Sequence, residues 1–192
     1  LELPLPETSR EWKRLKREPQ SFFVKKVRSA EVKWHLLSPE KKEAFQAAKQ
    51  AEVDQWIQAE AVKRAVGPIP KGRTLKTRWV LTYKESGAPK ARIVLIGYQD
   101  PDLESLQSSA PTMSRRTRQV ALQYSSVRQW RLLKADVKAA FLQGEATEKD
   151  RLVYALPVPE LAAALGVSPN EAVQVLKACY GLVDAPLDWY CS

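Results

Sequence analysis

Residues 131–144 read RLLKAD followed by VKAAFLQG. The first six form a short, largely apolar run that stops on a carboxylate, which predicts a strand with Asp136 at its C-terminal end. The small residues Ala139 and Ala140 then suit a tight turn, and Gly144 closes the segment. A strand-end aspartate opening into such a turn can hold a divalent ion beside backbone amides that receive phosphate oxygens. A helix cap or an ordinary turn aspartate accounts for the same residues, so the rest of the chain has to decide.

Upstream lies a predicted hairpin. Residues 77–84 (TRWVLTYK) are rich in β-branched and aromatic side chains, 85–90 (ESGAPK) read as a turn, and 91–98 (ARIVLIGY) return as a second strand. Residues 38–66 predict a helix. Ser38 is a cap, Pro39 suits the first turn, and Gly67-Pro68 is a stop. Phe45, Ala48, Ala51, Trp56, Ala59, Val62 and Val66 share its face, with Glu52 and Gln55 intruding. Residues 114–127 predict another helix, with Thr117, Val120, Ala121, Tyr124 and Val127 on one side. Downstream, 152–156 read as a strand and 160–165 as a short helix ended by Gly166. Ser168 and Glu171 resemble a capping box, whereas 173–177 read equally well as a strand. Residues 1–37 lack a clean period. They read as a linker with a short helix over 9–17 and with Trp12, Phe22, Phe23 and Trp34 as docking anchors.

Composition narrows the chemistry. With 192 residues, 44% hydrophobic and 28% charged, the chain can bury a core and is too apolar for a disordered tail. No apolar run is long enough to cross a membrane, and residues 1–10 lack a secretory pattern. One histidine and two cysteines leave zinc centres, histidine triads and a disulfide framework poorly supported. Residue 1 is Leu and the only methionine is Met113, which points to a piece of a longer reading frame. The net charge is +9; residues 1–70 hold +4 of it, 71–100 hold +5 and 101–192 are neutral. A basic patch concentrated on the hairpin suits phosphate partners, although a solvated surface has the same composition.

Four blocks then occur in a telling order. They are RWVLTYK (78–84), PKARIVLIGYQ (89–99), ADVKAAFLQGE (135–145) and CYGLVDAPLDWY (179–190). From residue 77 onward the chain resembles the reverse transcriptase of copia-type LTR retrotransposons, and with the leading helix the resemblance covers roughly residues 40–192. It implies an α+β, right-hand polymerase fold comprising fingers and partial palm. Residues 1–37 would be linker after an integrase, 38–130 the leading helix and fingers, and 131–192 the start of the palm with a return to the fingers. In the family the residues before Tyr-Gly-Leu form a strand, which decides for strand over 173–177.

The resemblance assigns roles position by position. Asp136 matches a catalytic aspartate that binds divalent ions (Mg2+ or Mn2+), with the Val137 carbonyl assisting one. Two ions about 4 Å apart serve phosphoryl transfer by positioning and neutralising charge. Phe141 matches the residue beneath the incoming sugar, where an aromatic ring excludes a ribose 2′-hydroxyl. Arg92 and Lys84 match the grip on the triphosphate. Tyr180 and Gly181 match the block beside the nucleotide, and Pro186 the template side. Read without the resemblance, Phe141 is a core residue, the two cations are a solvated hairpin, and Tyr180-Gly181 is a β-turn.

The implied parent activity is RNA-directed DNA polymerisation on an RNA or DNA template with primer and dNTP. The implied partners are the rest of a Pol polyprotein, namely the downstream palm, RNase H and upstream integrase, with no membrane and a cytoplasmic or nuclear location. Departures from the pattern are Val183, Asp184, Leu95-Ile96 and the SAPTM segment at 109–113. The family's Tyr-x-Asp-Asp motif does not occur in this sequence. The expectation is therefore a piece inactive by itself; the alternative is a non-catalytic, nucleic-acid-binding relic of a retrotransposon.

Overall fold

The computed structural model describes residues 6, 8–18, 31–69, 72–107, 109–144 and 152–192. Phe22 and Phe23 lie outside them. Two compact units emerge. The first comprises residues 1–52 and 79–93, the second 53–78 and 94–192.

In the first unit, α1 (Ser9–Arg17) forms where the short helix is expected, with Thr8 Oγ1 accepting from the Glu11 amide at 3.2 Å. None of its residues is buried, and Trp12 stays exposed. The helix α2 (Pro39–Gln58) begins in this unit. Phe45 packs with Leu81 and Ala91 of the hairpin, and Val32, Leu37, Ala48 and Trp79 close around them. The hairpin strands are β2 (Thr74–Tyr83) and β3 (Pro89–Leu95). Their turn is held by Lys84 N–H to the Ala88 carbonyl at 2.8 Å and Gly87 N–H to the Lys84 carbonyl at 2.9 Å. Gly87 has φ 78°, a left-handed value that glycine adopts without cost. Lys49 Nζ sits 4.4 Å from the Trp34 ring centre and 5.2 Å from that of Trp79. Trp34 is thus a cation–π partner on this unit's surface.

Two details of α2 differ from the sequence reading. Glu52 is not an intrusion on the buried face. It is buried itself, and its carboxylate accepts from the Ile93 amide at 3.2 Å. Ala51 is exposed, while Val53 belongs to the buried side. The helix also ends at Gln58, well before Val66. Glu60 turns left-handed (φ 51°), and the Ala61 amide bonds back to the Trp56 carbonyl at 3.1 Å. That closure is the usual way a helix stops, here without the usual glycine. The chain beyond it leaves as β1 (Val62–Arg64). Val66 is 88% exposed and belongs to no helix face.

The second unit is built on strands. Within it the order is β1-β5-β4 followed by the first residues of β2, with β4 being Val153–Leu156 and β5 Val173–Val175. β5 lies between antiparallel neighbours; Val175 pairs with Val62 on one side and Val153 on the other. β4 runs parallel to β2, with Ala155 opposite Leu75, and Thr77 Oγ1 adds a 2.6 Å bond to the Leu156 carbonyl. Val153, Ala155, Val173 and Val175 are buried, as a two-sided strand demands. The β5 strand thus prevails over the capping box. Ser168 and Glu171 still meet, but in a turn, and the Glu171 carboxylate accepts from Arg64 Nε at 2.8 Å. The second hairpin strand stops at Leu95, short of Tyr98, because Gly97–Gln99 coil into a 3-10 turn.

Helices complete this unit: α3 (Arg115–Val127), α4 (Ala140–Gln143), α5 (Pro159–Leu165) and α6 (Ala185–Cys191). α3 is capped by Ser114, whose hydroxyl accepts from the Thr117 amide at 3.1 Å. α5 has Pro159 in its first turn, one residue ahead of the start read from the sequence, and Gly166 left-handed at its end, as read. Two expectations fail here. Residues 131–136 are not a strand; they have no regular structure and are exposed. The predicted apolar face of α3 is likewise exposed, Val127 at 76% and Tyr124 at 47%. The physical reason is common to both. A strand needs a neighbour for its amides, an apolar face needs a cover, and the described residues supply neither.

Candidate nucleotide site

Lys84 and Arg92 belong to the first unit, and Asp136, Val137, Phe141, Tyr180 and Gly181 to the second. Lys84 is exposed at the hairpin turn, and Arg92 is half-buried on β3. Asp136 and Val137 are exposed just ahead of α4. Between them and that helix, Ala139 is left-handed (φ 50°), a sparsely populated state for a residue with a side chain.

The structure brings Phe141 and Tyr180 together. Their ring centres are 5.2 Å apart with planes at 76°, an edge-to-face pair. Phe141 is positioned from α4, whose Leu142 is buried and whose carbonyl receives the Lys177 Nζ at 3.3 Å. Tyr180 is positioned from the other direction. Its carbonyl accepts from the Leu95 amide at 2.8 Å, which ties the Tyr180-Gly181 turn to the end of β3.

That tie depends on two glycines. A Cβ built on Gly181 (φ 96°) would lie 2.0 Å from the Leu95 carbonyl oxygen, and one on Gly97 would lie 2.1 Å from the Gly181 oxygen. Backbone meets backbone with no side chain between, so both positions demand glycine. The motif marked Gly181 as a position beside the nucleotide; the backbone it approaches here is that of Leu95. Gly97 was missed, although an isolated glycine closing a strand pattern is a signal of close backbone approach.

Residues 63–192 match the family described as Reverse transcriptase (RNA-dependent DNA polymerase). The chain belongs to that family. Among curated relatives, it is 30% identical over 168 residues to the Retrovirus-related Pol polyprotein from transposon RE2 of Arabidopsis thaliana, covering 79% of this chain and 11% of the relative. It is 33% identical over 132 residues to the corresponding polyprotein from transposon RE1, covering 65% of this chain and 9% of that one. The chain thus spans about a tenth of the length of these relatives. No solved structure matches it.

For a reverse transcriptase chain the implied ion site can be tested against the donors present. Among the described residues, no three His, Cys, Asp or Glu side chains gather to hold a metal ion. Asp136 with one carbonyl does not make a two-ion site. Asp184 and Asp188 lie at the start of α6, Asp184 buried at its cap position. Among the described residues, no helix is long and apolar enough to cross a membrane.

Proposed function

We propose that this chain is the fingers and first half of the palm of a copia-type reverse transcriptase. In this reading residues 38–130 supply the leading helix and fingers, and 131–192 begin the palm. The observation that carries it is the Phe141–Tyr180 pair. Two motifs far apart in the chain converge on one aromatic contact beside the Asp136 segment. Arg92 and Lys84 then serve as cationic contacts for the triphosphate, Arg92 as a fork and Lys84 as a point charge. Phe141 lies under the sugar and Asp136 is the catalytic carboxylate.

The activity of the parent polyprotein is RNA-directed DNA polymerisation on a primed template. The remaining ion-binding carboxylates come from elsewhere in the polyprotein. The exposed apolar segment supports that division. Met113, Val120, Leu122, Val127, Trp130, Leu132 and Leu133 face solvent within one continuous stretch. A surface of this kind marks an interaction site. The downstream palm is its proposed cover, and residues 131–136 become a strand once that cover is paired to them.

A primer-extension assay tests the division of labour. The 192-residue chain alone should incorporate no dNTP, whereas the polyprotein polymerase should extend the same primer. Measurable extension by the isolated chain would overturn the reading. The sugar contact has its own test in the complete polymerase. Phe141→Val is expected to reduce the preference for dNTP over rNTP by about 10–200-fold, the range that pocket shape contributes. Unchanged discrimination removes Phe141 from that role.

A further inference from the structure

The nine residues of α1 carry Arg10, Lys13, Arg14, Lys16 and Arg17 against one carboxylate, Glu11. Their net charge of +4 equals that of residues 1–70 taken together. The helix lies ahead of residues 63–192, which carry the family match, and holds none of the positions assigned to the nucleotide.

The charge is sorted by side. Arg10, Lys13, Arg14 and Arg17 recur at three- and four-residue intervals, which aligns them in a row along the helix. All four are exposed. Glu11 and Leu15 share another side and are the only partly buried residues of α1. The cation row is therefore turned to solvent. Helix stability accounts for part of it. Arg14, Lys16 and Arg17 are in the last turn, where the macrodipole favours positive charge. Arg10 is in the first turn, where the dipole opposes it, so its charge points to something outside the helix. Arg17 Nε meets the Glu18 carboxylate at 3.9 Å, but both are exposed and such a pair contributes little.

Exposed guanidinium and ammonium groups suit phosphate oxygens. A single strand is gripped by aromatic rings interleaved with cations. No aromatic residue lies in the row; Trp12 is exposed but on a different side. A membrane surface calls for a broad apolar face, and α1 offers only Trp12 and Leu15. A duplex presents the regular line of phosphates that a helical row of cations can follow.

We infer that α1 is a docking helix for the phosphate backbone of duplex nucleic acid, without sequence preference and independent of the polymerase reading. The test uses the 192-residue chain and a fluorescent DNA duplex, read by anisotropy across a salt series. Arg10→Gln/Lys13→Gln/Arg14→Gln/Arg17→Gln removes the row, and glutamine is a comparable helix former. Lys33→Gln/Lys41→Gln/Lys63→Gln/Lys134→Gln removes the same charge from exposed positions scattered elsewhere. Arg10→Lys/Arg14→Lys/Arg17→Lys keeps the charge of the row.

In the row variant, duplex affinity is expected to fall about tenfold or more, and the slope of log K against log salt to flatten by about 3.6, four phosphates at roughly 0.9 each. The scattered variant should flatten it much less, and the lysine variant should bind as the wild type does. Equal changes in the row and scattered variants overturn the inference, because net charge alone would then suffice. An unchanged slope in the row variant overturns it as well. So does failure of the lysine variant to bind, which would make the loss one of structure. A loss as large on single-stranded oligothymidylate, or one seen on phosphatidylserine vesicles and not on the duplex, gives the helix another partner and also overturns it.

Discussion

Asp136→Asn, placed in the complete polyprotein polymerase, is expected to abolish primer extension while leaving primer-template affinity within about twofold. The substitution keeps shape and removes charge. Phosphoryl transfer depends on positioning and on charge neutralisation more than on covalent chemistry. Loss of one preorganised electrostatic partner typically costs about 10²–10³-fold in rate, and a shared catalytic carboxylate should stand at or beyond the upper end. Asp136 is exposed in this chain, so the change should leave its stability almost untouched. Extension at near wild-type rate would sink the catalytic assignment; parallel loss of primer-template binding would recast Asp136 as a binding residue.

Gly97→Ala should have the largest effect on the fold. Gly97 is buried, and its new methyl would lie 2.1 Å from the Gly181 carbonyl oxygen. No rotamer change relieves a clash between a Cβ and backbone. The end of β3 and the Tyr180-Gly181 turn must separate, which breaks the Leu95–Tyr180 bond of 2.8 Å. Overpacking with the loss of a buried hydrogen bond is expected to cost about 3 kcal/mol or more. In a chain of this size that lowers Tm by roughly 6–12 °C. Gly67→Ala is the comparison. Its site is open, so only the left-handed backbone (φ 85°) is penalised, by about 1–2 kcal/mol. Equal melting of the two variants would show that the glycine contact is not a close one.

What could be read in the sequence was what local chemistry decides. The hairpin followed from β-branched runs around Gly87, and the end of α5 from Gly166. The end of α2 was not legible, because the left-handed turn falls on Glu60, a residue with no preference that would mark it. The helix α6 carried a proline in its first turn, yet it was read only as part of a motif. Residues 131–136 had a strand's composition without a strand's neighbour. For the candidate site, the motifs named the residues to look at, but the meeting of Phe141 with Tyr180 is a tertiary fact. The Tyr180-Gly181 turn rests against Gly97, whose importance lies in what it lacks.

The uncovered segment from Met113 to Val137 bears on how tolerance to mutation is measured. A deep mutational scan scored by the folding of these 192 residues would rate Val127 or Leu133 as indifferent, since neither is buried. The same scan scored by replication of the whole element would rate them as constrained if the proposed palm covers them. Side chains of this kind are selected by an assembly rather than by their own fold. The disagreement between the two scans would itself trace the outline of the missing contact.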